Sequence, residues 1–307
     1  MQKRVLITGG TGSIGRAFIK ELHEQCEIYN LSRGGEGLVS LSREFPKVKN
    51  YLGSIEDKSF VLSSFRKAKP EIVVHFSAIK HVDFCEQNPH LASKVNVLGS
   101  LNIAEASVLE NVPITIGVST DKACHPENTY GYTKALMEQS FINYSSLKNK
   151  FLVCRFANVA YSSGSVLIYW KSLLEKGFPL KLTDPKMNRL MFTKRDAVEL
   201  IKKAASLGEE GREGLVISQK MKCVNMLTLA ETMSPNNIEI IGKRAGERCE
   251  EYLVHSSESQ YASVKDDLIL IKKEGSDDND EMPEGYSTIN AEKMSTEEMR
   301  SLINSQS

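Results

Sequence analysis

The sequence predicts an α/β fold: a doubly wound parallel sheet with helices on both faces, followed by a smaller C-terminal lobe. First, five short runs rich in Val, Ile, Leu and Phe recur through the first half, at residues 4–7, 27–31, 71–76, 114–119 and 151–156. Second, most of these runs precede a turn and an amphipathic stretch, which is typical of βαβ units. Third, the runs are apolar on both faces, as expected for parallel strands covered by helices.

The alternation changes after residue 157, and glycine and proline become more frequent around 162–188. The patterns that follow predict a helix at 193–206, a strand at 214–218, a helix at 228–233 and a strand at 238–241. We expect the first unit to comprise residues 1–157 with a return around 191–218, and the lobe to comprise 158–190 and 219–307.

The C-terminal region carries two local signals. Residues 274–285 are polar and acidic, which indicates a surface loop. After them, Ser295 and Glu298 have the spacing of a capping box, and Met294 and Met299 are placed to form its hydrophobic staple. The end of the chain is therefore predicted to form a short helix.

The composition argues against several classes of protein. The 307 residues suffice for a large core, and 39 Lys and Arg balance 39 Asp and Glu, so the zero net charge argues against nucleic-acid binding. No apolar run approaches the ~20 residues that span a bilayer, and the polar N-terminus is not a secretory signal. Six scattered cysteines without a C-x-x-C pair fit reduced thiols, so we expect a cytoplasmic protein without a membrane partner.

No metal site is predicted. His81, Asp83, Cys85 and Glu86 are close in sequence, but their spacing fits no zinc site. The acidic run at 277–280 lacks the glycine and the terminal glutamate of a calcium-binding loop. Both groups are interpreted as solvated surface residues.

A glycine-rich loop follows the first predicted strand and opens a helix. Its glycines allow a sharp turn and a close approach to a pyrophosphate, while the helix N-terminus offers free N–H groups and partial positive charge. A plain glycine-rich turn is the alternative, but the strand–loop–helix context favours a Rossmann dinucleotide site. The residues expected to contact the cofactor are Gly9, Thr11, Gly12, Ser13, Ile14 and Gly15.

The end of the second predicted strand indicates which dinucleotide binds. An NAD site usually carries an acidic residue there, whereas this chain has Ser32 and Arg33. A hydroxyl and a cation suit a 2′-phosphate, so NADP is favoured over NAD. The alternative is that Arg33 is an ordinary surface residue.

Tyr130 and Lys134 lie one helical turn apart, on the same face of a predicted helix. A lysine ammonium beside a phenol favours phenolate and lowers the phenol pKa from about 10. The phenolate could then accept a hydroxyl proton while a hydride leaves the same carbon for the nicotinamide. A solvated lysine is the alternative, since the same spacing occurs often in helices.

These motifs resemble the extended short-chain dehydrogenase/reductase family. The matching residues are Thr8 to Gly15, Asn96, Thr120 at a strand end, and Tyr130 with Lys134. Within that family the chain is similar to the inverting UDP-N-acetylglucosamine 4,6-dehydratases, which begin pathways to pseudaminic acid and capsular sugars. The resembling segments are 79–89, 119–134, 155–166, 183–190, 244–251 and 286–303, and they reach from end to end.

The resemblance implies a chemistry for Asp121 and Lys122, which directly follow an apolar strand. After Tyr130 has deprotonated the sugar 4-hydroxyl and the C4 hydride has moved to NADP, Asp121 would protonate the leaving 6-hydroxyl and Lys122 would remove the C5 proton. C5 is then reprotonated on the opposite face. This requires a raised pKa for the aspartate and a lowered pKa for the lysine, hence a dry site. A solvated surface pair is the alternative.

The remaining site residues also follow from the resemblance. Those implied for cofactor binding are Ser77, Ala78, Lys80 and Asn96, together with Tyr130 and Lys134. Those implied for binding the UDP-sugar are Lys80, His81, Lys122, Asn158, Ser165, Val166, Thr183, Met187, Arg189, Arg244 and Glu247. Arginines suit a diphosphate because a planar guanidinium binds phosphate oxygens bidentately.

The chain departs from the family pattern at Phe76, His125, Tyr161 and Ser163, and it lacks the acidic residue that usually follows the arginine at 33. Two other functions stay open. A nucleotide-sugar C4 epimerase would need the tyrosine and the nicotinamide but not Asp121 and Lys122. A non-catalytic NADP-binding regulator would need only the fold. Family relatives assemble into oligomers, so a homo-oligomer is expected.

Overall fold

The computed structural model describes residues 2–244, 246–272, 282 and 284–305. Within them the strands are β1 (Lys3–Thr8), β2 (Cys26–Ser32), β3 (Lys49–Leu52), β4 (Ile72–His75), β5 (Ile114–Thr120), β6 (Lys150–Phe156), β7 (Asn158–Val159), β8 (Leu180–Leu182), β9 (Asn188–Phe192), β10 (Leu215–Gln219), β11 (Cys223–Asn225), β12 (Ile238–Ile240), β13 (Tyr252–Val254), β14 (Ala262–Lys265), β15 (Leu268–Lys272) and β16 (Tyr286–Ser287).

The helices of the same residues are α1 (Ser13–Leu22), α2 (Gly35–Glu44), α3 (Lys58–Ala68), α4 (Val82–Gln87), α5 (Pro89–Ser93), α6 (Gly99–Leu109), α7 (Thr129–Tyr144), α8 (Val166–Glu175), α9 (Lys194–Glu209), α10 (Met226–Met233) and α11 (Thr296–Asn304). A π-helical turn (Lys94–Leu98) leads from α5 into α6, and short 3₁₀ turns occupy Asp121–Ala123 and Ser259–Tyr261.

In the described part of the chain, nine strands form one sheet in the order β14-β15-β10-β6-β5-β4-β1-β2-β3. The strands from β3 to β10 run parallel, and β15 and β14 continue the sheet antiparallel. Strands β2 and β3 lie on one side of β1 and β4 lies on the other, so the winding reverses there. Ligands of such sheets bind beyond the carboxyl ends of the strands near the reversal.

The doubly wound α/β sheet predicted from the sequence is confirmed, and all five runs of the first half form strands of it. Strand β3 was not predicted, because it is short and only half-buried. The strand predicted at 214–218 corresponds to β10 and pairs with β6, so the chain does return to the first sheet. Strands β14 and β15 also pair within this sheet, although the sequence placed them in the lobe.

A second hydrophobic cluster lies outside the large sheet and includes residues of α8, β8, α10 and α11. Trp170 is fully buried there and donates from its indole N–H to the carbonyl of Lys181 (2.8 Å). The predicted capping box is confirmed: Ser295 accepts from the backbone of Glu298, whose side chain accepts from the backbone of Ser295. Of the predicted acidic loop at 274–285, residues 274–281 and 283 lie outside the described residues.

A buried arginine ties the sheet to α7. Arg155 of β6 donates to both carboxylate oxygens of Glu138 on α7 (3.1 and 2.7 Å) and to both of Glu258 (2.9 Å each). It also donates to the carbonyl of Leu253 (2.7 Å). Because the guanidinium and Glu138 are both almost inaccessible to solvent, removing one partner would leave a buried charge unpaired. The network therefore fixes α7 and β13 relative to the sheet.

Among the described residues, none of the helices has the length and apolar character needed to cross a bilayer.

Candidate active site

A cavity of about 1090 Å³ lies beyond the carboxyl ends of the parallel strands and extends from the glycine loop to the lobe. It brings together nearly all of the residues predicted from the sequence. These lining residues are Gly9, Thr11, Gly12, Ser13, Ile14, Gly15, Ser32, Arg33, Ser77, Ala78, Lys80, His81, Thr120, Asp121, Lys122, Tyr130, Lys134, Asn158, Ser165, Val166, Thr183, Met187, Arg189, Arg244 and Glu247.

Asn96 is the exception, since it does not line the cavity. Its buried amide accepts from the backbone N–H of Ile79 (2.7 Å), donates to the carbonyl of Ile79 (2.9 Å) and donates to Thr133 (3.0 Å). Ile79 lies between Ala78 and Lys80, which do line the cavity. Asn96 therefore fixes the backbone of that wall from behind.

The glycine loop has the geometry that a pyrophosphate requires. Gly9 has a left-handed φ of 77°, and its carbonyl accepts from the N–H of Gly12 (3.0 Å). A Cβ on Gly15 would come within 2.7 Å of the Gly9 carbonyl oxygen, so a larger residue would push the loop away from α1. Gly12 is the N-cap of α1 and offers no side chain, which leaves the first N–H groups of the helix free for an anion.

Polar side chains occupy the carboxyl end of β2, where the ribose end of a dinucleotide is expected. The hydroxyl of Ser32 donates to Asn30 Oδ1 (3.2 Å), and Thr11 donates to Ser32 (3.4 Å). The guanidinium of Arg33 is about half exposed and lies 3.6 Å from Glu56 Oε2. Arg33 is thus a cavity residue with a carboxylate partner.

Asp121 and Lys122 form an ion pair at the end of β5. Thr120 Oγ1 donates to Asp121 Oδ1 (2.9 Å) and accepts from the backbone N–H of Lys122 (3.3 Å). Lys122 Nζ lies 3.1 Å from the same Asp121 oxygen, and Asp121 is 1% exposed. The aspartate of this pair is therefore buried, which argues against a solvated surface pair.

Glu251 is a third member of this cluster, and the sequence analysis missed it. Its Oε1 lies 3.1 Å from Lys122 Nζ and 4.0 Å from Arg189 Nε. Glu251 is 2% exposed, and its Oε2 has no hydrogen-bond partner, as is also true of Asp121 Oδ2. The available signal was its position directly before a short strand, at the end of the resembling segment 244–251.

The two carboxylates determine the charge of Lys122. Burial opposes the ammonium, but Asp121 and Glu251 outweigh burial and raise the pKa of Lys122 above its ordinary value. The expected lowering of the Lys122 pKa is therefore wrong, and the lysine is an ammonium ion in this structure.

Tyr130 also differs from the expectation. Burial raises the pKa of its phenol above the usual value, while the Lys122 charge and a hydrogen bond with Thr120 act in the opposite direction. The predicted lowering of the Tyr130 pKa by Lys134 is thus wrong for this structure, since burial outweighs the nearby cation.

Lys134 lines the cavity, and its side chain is buried. It is 2% exposed, and burial lowers its pKa to about 8, with Glu138 opposing this effect. Among the described residues Lys134 makes no hydrogen bond. A buried donor without a hydrogen-bond partner fits a ligand with hydroxyl groups, so Lys134 and the glycine loop together suit a bound dinucleotide.

Close packing sets the position of α7 against the Asp121–Ala123 turn. Asn128 caps the helix by accepting from the N–H of Gly131 (2.8 Å). A Cβ on Gly131 would lie only 2.3 Å from the carbonyl oxygen of Lys122, so glycine is required at this position. This contact brings the helix that carries Tyr130 against the turn that carries Lys122.

The lobe side of the cavity carries the predicted arginines. Arg189 is mostly buried and donates to the carbonyl of Asn188 (2.7 Å), whereas Arg244 lies at the rim, 3.6 Å from Asp83 Oδ2. Glu247 accepts from the backbone N–H of Arg244 (3.0 Å). Ser165, the N-cap of α8, has a buried hydroxyl without a hydrogen-bond partner.

The loop at 161–165 bridges the two ends of the cavity. The backbone N–H of Ser163 donates to Ser13 of the glycine loop (3.0 Å), and its carbonyl accepts from Lys80 Nζ (2.5 Å). Asn158, just before this loop, donates to the carbonyl of Leu190 (3.3 Å). Thr183 donates to the sulfur of Met187 (3.1 Å), in the connection between β8 and β9.

No cluster of His, Cys, Asp or Glu within the described residues could hold a metal ion. Cys85, which the sequence placed on a solvated surface, is buried. The acidic run at 277–280 lies outside the described residues.

A family model described as polysaccharide biosynthesis protein matches residues 5–273. The chain belongs to this family. An uncharacterized membrane protein of Methanocaldococcus jannaschii is 33% identical, over 98% of this chain and 95% of its own length. A UDP-N-acetylglucosamine 4,6-dehydratase (inverting) of Campylobacter jejuni subsp. jejuni serotype O:2 is 32% identical, over 84% of this chain and 79% of that protein. The resemblance predicted from the sequence is confirmed.

Other relatives carry a different activity in their names. A UDP-glucose 4-epimerase of Rickettsia canadensis is 30% identical, over 99% of this chain and 96% of that protein. Among solved structures, Pen from Bacillus thuringiensis superposes with a TM-score of 0.91 at 29% identity, covering 99% and 98% of the two chains. DesIV, a dTDP-glucose 4,6-dehydratase from Streptomyces venezuelae solved with NAD, shares the fold (TM-score 0.72, 20% identity, 80% and 86% covered).

The buried Lys134 makes the stability of the protein depend on pH. Its pKa of about 8 lies below the ordinary 10.5, so between these values the folded protein binds fewer protons than the unfolded chain. The free energy of unfolding should therefore rise with pH across this window. We expect urea denaturation without added cofactor to show wild type gaining about 3 kcal/mol relative to Lys134→Met from pH 8 to 10.5.

Lys67→Met, which removes an exposed lysine of α3, is the matched control and should leave the slope of wild type unchanged. Equal slopes for wild type and Lys134→Met would show that Lys134 keeps its proton throughout.

Proposed function

We propose that the protein is an NADP-dependent, inverting UDP-N-acetylglucosamine 4,6-dehydratase. The observation that carries this proposal is the ion pair of the buried Asp121 with the partly exposed Lys122, beside Tyr130 in the cavity. An oxidation followed by an elimination needs both a phenol for the hydroxyl and an acid–base pair for the loss of water. The relatives named as dehydratases and epimerases support the broader class of nucleotide-sugar enzymes on this fold.

The first part of the reaction belongs to Tyr130 and Lys134. A bound nicotinamide would supply a hydride acceptor for C4 of the sugar and return that hydride to C6. Tyr130 takes the proton of the 4-hydroxyl, and Lys134 provides a buried positive charge on the same helix face. Burial raises the pKa of the Tyr130 phenol and so opposes its ionisation. The phenol therefore needs cationic neighbours when substrate is bound.

The 4-ketone makes the C5 proton acidic, and elimination then requires a base at C5 and an acid at O6. In the resting pair the proton is on Lys122, 3.1 Å from Asp121. Transfer of that proton to Asp121 gives a neutral amine and a carboxylic acid. Asp121 gives the proton to the departing O6 and Lys122 takes the proton from C5, so the ion pair is restored. The hydride then returns to C6 and C5 gains a proton on the other face, which balances the proton that Tyr130 took from the 4-hydroxyl, and the product is the inverted 4-keto-6-deoxy sugar.

The proposed substrate-binding groups lie on the lobe side. The guanidinium groups of Arg189 and Arg244 suit the two phosphates, and Ser165 offers a free buried hydroxyl beside the N-terminus of α8. We also propose that residues 1–157 with 191–218 hold NADP and that the remaining residues hold the nucleotide sugar, apart from β14 and β15 of the large sheet.

A C4 epimerase is the second candidate, because the Rickettsia relative is named as one. An epimerase needs Tyr130 and the nicotinamide but has no step for Asp121 and Lys122. Removing a carboxylate such as Asp121 from water costs free energy. The dehydratase has a step that uses the pair and the epimerase has none, so the pair favours the dehydratase. The same argument speaks against a non-catalytic regulator.

Proton NMR of the purified protein with NADP and UDP-N-acetylglucosamine in deuterated water tests the function. We expect a new C6 methyl signal that is not split by a C5 proton, together with deuterium at C5, because C5 loses its proton to Lys122 and regains a deuteron from solvent-exchanged groups. A new C4 epimer without a methyl signal would show an epimerase, and an unchanged spectrum would reject both activities on this sugar.

The preference for NADP depends on Arg33 in the same cavity. Arg33→Gln should weaken NADP binding roughly ten- to a hundred-fold, because a charged hydrogen bond to a 2′-phosphate is lost, and should leave NAD binding unchanged. Calorimetric titration of both dinucleotides measures this. Arg43→Gln, an exposed arginine outside the cavity, serves as the control. Equal binding of NAD and NADP by wild type would contradict the assignment.

A further inference from the structure

The ammonium of Lys122 lies between two buried carboxylates, Asp121 Oδ1 and Glu251 Oε1, each 3.1 Å away. Asp121 has a role in the proposed elimination, whereas Glu251 has none so far. We propose that Glu251 is the positioning residue of Lys122: it holds the amine beside Asp121 and sets the pH range in which the amine keeps its proton. This inference rests on the proposed dehydration for its chemical step, but the contacts between Glu251, Lys122 and Asp121 do not depend on that function.

Glu251 is supplied by a different part of the chain from the pair that it contacts. Its backbone N–H donates to Thr288 Oγ1 (3.1 Å), and its carbonyl accepts from the N–H of Thr288 (3.0 Å). The adjacent β13 pairs with β16, and Arg155 binds the carbonyl of Leu253. Glu251 is therefore fixed by its backbone, and its carboxylate is directed at Lys122 without support from other hydrogen bonds.

The energetics indicate a functional carboxylate. An ionised carboxylate removed from water is costly unless each oxygen finds a donor, and Glu251 Oε2 has none among the described residues. A glutamine or an apolar residue would avoid that cost at this position. Glu251 Oε1 instead lies 3.1 Å from Lys122 Nζ and 4.0 Å from Arg189 Nε, while Oε2 is left without a partner.

Four charged or titratable groups act on or near the amine. Asp121 and Glu251 favour its protonated form, and Arg189 opposes it. Tyr130 is the fourth, since the Lys122 charge acts on its phenol. Without Glu251, one carboxylate and one guanidinium would remain, and the amine would lose its proton at a lower pH.

The charges around Lys122 suit the proton transfers of the proposed elimination. When the neutral amine of Lys122 removes the C5 proton, it becomes an ammonium ion, and Asp121 becomes a carboxylate as its proton leaves with O6. The Glu251 carboxylate lies 3.1 Å from Lys122 Nζ and stabilises the ammonium ion that forms, so it strengthens the base. No proton enters or leaves the three residues in this step, because the one taken from C5 replaces the one given to O6.

Glu251→Gln tests the inference because it keeps the shape of the side chain and removes its charge. Trace acetylation with acetic anhydride from pH 7 to 11, read by peptide mass spectrometry, reports the free amine of Lys122. With the exposed Lys67 as internal reference, we expect the pH dependence for Lys122 to move down by roughly one to three units, so that labelling at a fixed pH rises about tenfold or more.

Glu250→Gln is the matched control. Glu250 is the neighbouring glutamate, but it contacts Asn188 and Thr288 and not Lys122. This variant should label Lys122 as wild type does. Glu251→Asp keeps the negative charge but shortens the side chain by one methylene, which moves the carboxylate away from Lys122. The pH dependence of Lys122 labelling should therefore shift in the same direction as in Glu251→Gln, but by less. If the glutamine variant does not fold, the aspartate variant carries the test.

The pH dependence of kcat gives a second readout. The reactive form holds one proton on Asp121 and Lys122, and its loss produces the alkaline limb. That limb should move to lower pH in Glu251→Gln and stay in place in Glu250→Gln.

A uniform fall in kcat, with labelling of Lys122 in Glu251→Gln equal to that in wild type across the pH range, would show a purely structural role and overturn the inference. Failure of wild type to form the methyl product would reject the dehydratase instead, and labelling of Lys122 would still decide the role of Glu251.

Discussion

The burial of two carboxylates around one partly exposed lysine beyond β5 is the constraint on which the site depends. Asp121, Lys122 and Glu251 share one cation between two carboxylates at distances of 3.1 Å, in a place where neither carboxylate is hydrated by bulk solvent. Such a cluster is stable only if the backbone holds all three members in register. The parallel sheet holds the first two through β5, and the β13–β16 pairing holds the third.

The same arrangement explains why α7 and the glycine loop lie where they do. Gly131 lets the helix approach the Lys122 carbonyl, so Tyr130 faces the cluster, and Arg155 anchors the helix through Glu138. The winding reversal at β1 opens the cavity between the glycine loop and the lobe. Proton-transfer groups and dinucleotide-binding groups therefore meet at a single edge of the sheet, as doubly wound folds require.

Much of this arrangement could be predicted from local sequence. Apolar strands, the G-x-x-G-x-x-G loop and the capping box at Ser295 depend on neighbours in the chain, and the structure confirms them. Glu251 could not be predicted in this way, because its partner Lys122 is far away in sequence and comes together with it only after folding. Strands β3 and β14 lack the continuous apolar pattern of the central strands, so they were not predicted. Strand β15 has that pattern in its first four residues, but the sequence analysis assigned no strand there and its pairing with β10 was missed.

The pKa values of Lys122 and Tyr130 likewise could not be predicted from local sequence. The sequence supports an acid–base pair at Asp121 and Lys122, but the pKa of Lys122 also depends on burial and on Glu251, a carboxylate that is distant in sequence. Likewise, the phenol of Tyr130 is governed first by burial and only then by a nearby lysine. Spacing within a helix fixes which residues are neighbours, whereas burial and distant charges decide which proton each of them keeps.

The most direct measurement is the fate of the hydrogen at C4. Incubation of the enzyme and NADP with UDP-N-acetylglucosamine carrying deuterium at C4, followed by NMR and mass spectrometry of the product, follows the hydride through one cycle. An intramolecular dehydration predicts a single deuterium in the new C6 methyl group. Deuterium found again at C4 of an epimerised sugar, or retained in unchanged substrate, would contradict the dehydratase.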